Sequence, residues 1–234
     1  MKFHDLRRFN LDTLVVLKGA LSLIRDPQQT DSVYDIEDGM KHSAAMAAAT
    51  RQMMAQPEIA GLAAERYLAV APDIPKLLQY PPDSLGYAYA NYIHTAGFDP
   101  GFYRPMAVED DTSYLLLRLR QTHDIWHVVT GFSTNVPGEL GLKAFELAQT
   151  RRTMAGILIA GGFLKCLLQT PDELDELLDN ISRGYRMGLQ AQPLLAQKWE
   201  DNWDKSLSEW RSKLGITLVS EDALEEHRLL TSID

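Results

Sequence analysis

An all-α fold is what this chain predicts, and three observations carry it. Apolar residues recur at helical spacing, N-cap and C-cap residues punctuate them repeatedly, and no alternating runs flank a hairpin turn. Of the 234 residues, 45% are hydrophobic and 24% charged, a composition that suits a globular chain. No Pro/Gly/Ser-rich linker or charge block divides it, so one domain over residues 1–234 with eight or more packed helices is expected.

The first helix is expected to start at Asn10 or Asp12 and to carry Leu14, Val15, Leu17 and Leu21 to about Ile24. A second begins near Ser32, with Asp35 completing an acidic variant of the capping box. An alanine-rich helix runs through Met46 to Met54. Pro57 suits the first turn of another, Glu58 to Val70, because its missing N–H has no helical partner there. Ser84 to Ala96 reads as a helix stopped by Gly97, and a proline-bearing loop follows from Phe98 to Pro105. Asp110 or Asp111 caps a helix that passes through Leu115, Leu116 and Leu117 to Thr130 and ends at Gly131. After a turn containing Pro137 and Gly138, one long helix is expected from Glu139 to about Leu168. Thr170-Pro171-Asp172-Glu173 combines an N-cap with proline at the first helical position, opening a helix to about Gln190. The last helix is expected from Pro193 to Leu214, with Trp199, Trp203 and Trp210 forming a packing seam on one of its faces.

Asp and Glu total 32 against 23 Lys and Arg, a formal charge of -9. That balance argues against nucleic acid, whose binders present a basic surface, and against whole-protein attraction to anionic lipid. The one cysteine, Cys166, cannot form an intramolecular disulfide; its apolar neighbours Phe163 and Leu167 mark it as a buried structural thiol. The longest strongly apolar stretch, Thr153 to Leu164, is shorter than the roughly 20 residues a membrane span requires. No signal-peptide h-region follows the N-terminus. A cytoplasmic protein, soluble or peripheral to a membrane, is expected.

The informative segment is His123-Asp124-Ile125-Trp126-His127, with Glu139 twelve residues beyond. Residues four apart on a helix differ by only about 40° around the axis, so His123 and His127 project one turn apart from one face. Two imidazoles at that spacing can share a metal ion, as in the His-Glu-x-x-His pattern. Asp124, roughly 100° round from His123, can reach the metal or a bound water from the side. Glu139 falls in the first turn of the next helix, where a carboxylate is favoured electrostatically, and can fold back over the two histidines. Such a mixed N/O set suits zinc, iron or manganese rather than calcium. A single helical histidine is more often a half-buried polar residue, and His4, His42, His94 and His227 are read that way. Tyr87, Tyr89 and Tyr92 are read as core lining.

His123-Asp124-x-x-His127 followed by Glu139 resembles the signature of the coenzyme Q biosynthesis protein 4 family. Gly131, Gly138, Lys143, Phe145, Glu146 and Gln149 match around it. Further out, so do Ser84-Leu85-Gly86, Tyr89, Tyr92, Tyr185-Arg186-Met187-Gly188, Trp199-Glu200 and Arg211-x-x-Leu214-Gly215-Ile216. The resemblance implies an all-α fold and a divalent metal, commonly Zn2+ with Fe2+ or Mn2+ as alternatives, on His123, Asp124, His127 and Glu139. It also implies work on prenylated aromatic precursors in quinone biosynthesis. No mitochondrial targeting extension is recognisable, which points to a bacterial member. Arg151-Arg152-Thr153 replaces the proline-containing turn expected after Gln149, which bears on local helix geometry and substrate.

Three functions compete. The first is a metal-dependent lyase or oxidative decarboxylase acting on the ring carboxyl group, with Asp124 as general base. The second is a non-catalytic organiser that presents a prenyl lipid to other quinone-biosynthesis enzymes and carries a structural metal. The third, a zinc hydrolase, is disfavoured because Asp124 is a methylene shorter than the Glu of that motif. Partners expected are a prenylated aromatic or isoprenoid lipid, other enzymes of the pathway, the membrane surface and a second copy of the chain. Gly156, Gly161 and Gly162 serve either helix packing or a groove for the prenyl tail. Arg118, Arg120, Arg151 and Arg152 offer cations for an anionic head group, with Arg120 alternatively supporting Asp124 or Glu139.

Overall fold

The computed structural model describes residues 30–101 and 103–218. The helix expected from Asn10 to Ile24, and His4 and His227, lie outside the described residues. Among the described residues there are ten α-helices and no strand; the only β-type pairing is an isolated bridge between Ser84 and Ser206. The helices are α1 (Thr30–Met40), α2 (Ala44–Met54), α3 (Pro57–Glu65), α4 (Ile74–Leu77), α5 (Leu85–Ala96), α6 (Asp111–Thr130), α7 (Val136–Thr150), α8 (Thr153–Gln169), α9 (Leu174–Gln190) and α10 (Leu207–Leu214).

Local chemistry places most ends where expected. The hydroxyls of Ser43 and Ser84 accept from the Met46 and Tyr87 N–H groups and start α2 and α5. Asp110 and Ser113 close a reciprocal capping box at the head of α6. Gly97, Gly131 and Gly215 end α5, α6 and α10 in the left-handed region, where a Cβ would be strained.

Five expectations are corrected. The helix from Glu58 ends at Glu65, because Arg66 turns left-handed (φ 51°) and its N–H caps Ala63 and Leu62. Ser32 falls inside α1 rather than at its cap. Thr170 makes no side-chain cap; a 3-10 turn, Pro171–Glu173, leads into α9 instead. The helix expected from Pro193 is 3-10 turns at Leu194–Ala196 and Trp199–Asp201, with α-helix only from Leu207. The three tryptophans therefore share no helix face: Trp199 packs on Trp210 with centroids 4.6 Å apart, while Trp203 stacks on Tyr89 at 5.2 Å.

The fifth correction matters most for the site. The long helix expected from Glu139 is two, α7 and α8, broken at Arg151 and Arg152 without any proline or glycine. Arg151 takes φ 57°. The Thr150 hydroxyl donates back to the Glu146 carbonyl at 2.8 Å and accepts from the Arg152 N–H at 3.2 Å, which offers the backbone an alternative to helix. The turn then drives the buried Arg152 side chain onto Glu146 and Glu37.

α7 and α9 lie side by side, in parallel, at glycine-mediated contacts. A Cβ on Gly184 would stand 1.9 Å from the Gly141 carbonyl oxygen, and one on Gly188 2.6 Å from that of Phe145. Gly184→Ala is therefore expected to force the helices apart and lower stability by roughly 1–3 kcal/mol or more. Gly156→Ala, in α8 with nothing within 4 Å of the new Cβ, is expected to be neutral or to stabilise by up to about 1 kcal/mol. Thermal melts of the two variants should move in opposite directions, and a common direction would remove the packing argument.

Candidate metal centre

α6 carries His123 and His127 on its last two turns, and α7 carries Glu139 in its first. The short link between these helices sets their mutual position. Asn135 caps α7, its Oδ1 accepting from the Gly138 N–H at 2.9 Å. Gly138 must lack a side chain, because a Cβ there would lie 2.3 Å from the Ser133 carbonyl oxygen. After the left-handed turn at Gly131, the Phe132 ring buries against Gly141, where a Cβ would meet it at 2.6 Å. That anchoring turns the Phe132 carbonyl toward α6, where it accepts from His127 Nδ1 at 2.9 Å.

A carbonyl oxygen only accepts, so Nδ1 carries the hydrogen and the neutral ring leaves its lone pair on Nε2. His127 is 2% exposed, and its Nε2 is a buried atom with no hydrogen bond. Glu139 Oε1 lies 3.1 Å from that Nε2, close enough for ion pairing but without the alignment of a hydrogen bond. Glu139 Oε2 lies 3.7 Å from His123 Nε2. One donor atom from each of His123, His127 and Glu139 falls within 4.8 Å of the others. Two imidazole nitrogens and one carboxylate oxygen at this separation are a donor set that fits a divalent cation. A backbone carbonyl fixing the far nitrogen of one imidazole is the usual support for such a ligand.

The electrostatics agree. Burial first, and then the neighbouring Lys143, push His123 below the ordinary imidazole value, which favours the neutral, lone-pair form. Burial alone would raise the Glu139 carboxyl, yet protons and positive charge on the two facing imidazoles hold it far below the usual carboxylate range, a stabilisation that a bound cation would supply once the rings are neutral.

Asp124 falls outside the three-donor cluster. It is half-buried, and its charge helps hold the hydroxyls of Tyr34, Tyr89 and Tyr92 protonated, after the larger effect of their burial. Tyr92 is the residue whose place the sequence concealed. Its ring stacks on His127 with centroids 6.0 Å apart, and its hydroxyl is buried without a hydrogen-bond partner. Only its position eight residues after the Ser84 cap hinted at a face directed inward.

Three of the four arginines expected to greet an anionic head group are engaged inside the protein. Arg118 is fully buried and donates to Glu200 at 2.8 Å. Arg120 donates to Glu37 at 2.6 Å and to Asp38 at 2.9 Å. Arg152 bridges Glu146 and Glu37. Each neutralises a carboxylate that burial would otherwise penalise, so none is a spare cation; Arg151 alone of the four is exposed. In α8, a Cβ on Gly162 would meet Leu140 at 2.3 Å, a helix–helix contact, whereas Gly156 faces open space and Gly161 is buried. Cys166 is buried, as expected, and donates to the Thr170 carbonyl. Among the described residues, no helix is long and apolar enough to cross a membrane.

Comparison with known proteins bears on the whole chain. The family model described as "Coenzyme Q (ubiquinone) biosynthesis protein Coq4" matches residues 4–220. A mitochondrial ubiquinone biosynthesis protein COQ4 of Debaryomyces hansenii is 26% identical over 215 residues, covering 89% of this chain and 65% of that protein. Its counterpart in Talaromyces stipitatus is 32% identical over 146 residues, covering 61% and 50% respectively. The chain thus spans about half to two thirds of the length of these curated relatives. A crystal structure from Nostoc punctiforme, provisionally assigned as a ubiquinone biosynthesis protein, superposes with a TM-score of 0.79 at 37% identity. That match covers 86% of this chain and 97% of the other.

Proposed function

The chain belongs to the Coq4 family of coenzyme Q (ubiquinone) biosynthesis proteins, and from that premise we propose that it binds one divalent cation on His123, His127 and Glu139 and removes the ring carboxyl group of a prenylated hydroxybenzoate-type precursor there. The observation that carries this reading is the buried Nε2 of His127, free of hydrogen bonds, with its lone pair fixed by the Phe132 carbonyl and two more donors beside it. Zinc fits the donor set best, with Fe2+ or Mn2+ as alternatives. When bound, the cation supplies positive charge opposite the carboxylate or phenolate of the ring.

The remaining chemistry belongs to the chain. In the non-oxidative form the bond between ring carbon and carboxyl carbon breaks, carbon dioxide leaves, and the ring carbon keeps the electron pair and takes a proton. Tyr92 has a buried O–H available to orient a carboxylate. Asp124, which follows His123 on α6, holds or moves that proton. A second reading, a non-catalytic organiser presenting a prenyl lipid to partner enzymes, is favoured by Leu164, Leu167 and Leu168 of α8, which are 45%, 43% and 68% exposed.

Both readings are separated by one assay. The protein loaded with zinc, then with iron or manganese, is given the precursor carrying an isotopic label in the ring carboxyl, and labelled carbon dioxide is collected. Release is expected, and Glu139→Gln is expected to slow it by about a hundredfold or more. Precursor that binds but releases no label with any of the three metals supports the organiser instead.

A further inference from the structure

Away from the metal centre, a cavity of about 360 Å3 opens between α3, the 3-10 turns after Pro193 and α10. It is large enough for a small ligand and shares no residue with His123, His127 or Glu139. Three lysines line it: Lys198, Lys205 and Lys213. Lys198 is neutralised by Glu65. Neither Lys205 nor Lys213 has a carboxylate within ion-pair distance among the described residues. In a chain with nine more acids than bases, two ammonium groups facing one cavity without an ion-pair partner are a local departure.

Their position is set by an indole instead. Lys205 Nζ and Lys213 Nζ stand 5.0 and 4.9 Å from the centre of the buried Trp210 ring, which attracts each without cancelling its charge. Lys213 is also tied to Gln197 Oε1 at 3.0 Å, a neutral acceptor. Burial and, after it, the repulsion of Lys205 push the Lys213 ammonium below the ordinary lysine value. Glu58 lines the same cavity and has no ion-pair partner among the described residues, so a ligand must lie nearer the lysines than Glu58.

We propose that this cavity binds a small dianion, a phosphate monoester being the best match, through Lys205 and Lys213 against Trp210. Two unpaired ammonium groups balance two negative charges, and charge-assisted hydrogen bonds to phosphate oxygens would replace the water that now solvates them. The phosphate can come from a soluble metabolite or from a lipid head group; both present the same chemistry to the lysines.

The test uses the full chain without added metal and reads calorimetry together with tryptophan fluorescence. Inorganic phosphate is titrated in at constant ionic strength set by sodium chloride, and vesicles of phosphatidylcholine with and without phosphatidic acid form a second arm. One saturable phosphate site per chain is expected. Lys205→Gln and Lys213→Gln should each weaken it about tenfold, and the double variant should abolish it. Lys76→Gln, an exposed lysine outside the cavity, should leave it unchanged. Competition by phosphatidic acid vesicles assigns a lipid source, and its absence a soluble one. No saturable response to millimolar phosphate, or a folded double variant that binds like the parent, overturns the proposal. Neither result touches the metal centre.

Discussion

Glu146→Ala is expected to cost about 3–5 kcal/mol of stability, among the largest effects of any single change in this chain. Glu146 is 4% exposed and accepts from Arg152 Nη1 at 2.8 Å and from Lys143 Nζ at 3.0 Å. Arg152 is itself 5% exposed. Its remaining partner, Glu37, is already shared with Arg120. Deleting Glu146 leaves a buried guanidinium with half its counter-charge at the point where α7 breaks into α8. Glu146→Gln keeps the volume and removes only the charge, so it should fall between parent and Ala.

The same carboxylate makes a pH prediction. Burial alone would raise Glu146, but Lys143 and Arg152 override it and hold the group at about 2, against an ordinary 4.5. A depressed folded value means the contribution is complete above 4.5 and drains away as pH falls from there through about 2. Two and a half units correspond to about 3 kcal/mol at most. Urea midpoints should therefore separate parent from Glu146→Ala widely at pH 7 and much less at pH 2. Equal midpoints at pH 7 would show that the network does not support the fold.

How far the sequence could be read follows from where each signal was stored. Ser84, Gly97, Asp110, Gly131 and Gly215 are local signals, and each ends or starts a helix where its own chemistry predicts. The break at Arg151 falls where the resemblance sets a proline-containing turn, but no proline or glycine marks it in this chain, and its buried ion-pair partner Glu37 lies more than a hundred residues away. The same distance concealed the fate of Arg118 and Arg120, whose carboxylates come from Glu200 and from α1. His123 and His127 were legible from helical spacing alone. Glu139 needed the link from Gly131 to Gly138, whose tight packing shows only in three dimensions. Tyr92 looked like core lining because a stacked ring and a partnerless hydroxyl carry the same one-letter code.

His127→Ala is expected to weaken divalent-cation binding by at least about a hundredfold. Changes to groups that merely support a metal ligand already cost ten- to a hundredfold, and His127 would supply a ligand atom itself. Its loss leaves His123, about 30% exposed, and Glu139, 36% exposed, a pair open to water and without a third donor. The alternative role is purely structural: a histidine donating from Nδ1 to the Phe132 carbonyl and facing Glu139 with a protonated Nε2. The two roles differ in what a conservative change elsewhere does. Glu139→Gln keeps the size of the side chain and leaves the His127–Phe132 bond untouched, so a structural role predicts little change in metal content. A ligand role predicts loss, because a neutral amide oxygen is a poor partner for zinc beside two imidazoles. Elemental analysis after zinc loading and gel filtration should give about one ion per chain for the parent and much less for both variants, with folding checked by circular dichroism. Cobalt in place of zinc adds a visible spectrum sensitive to the ligand set. A folded Glu139→Gln protein that holds a full equivalent of metal with an unchanged cobalt spectrum would place the cation elsewhere and remove the basis of the proposed chemistry.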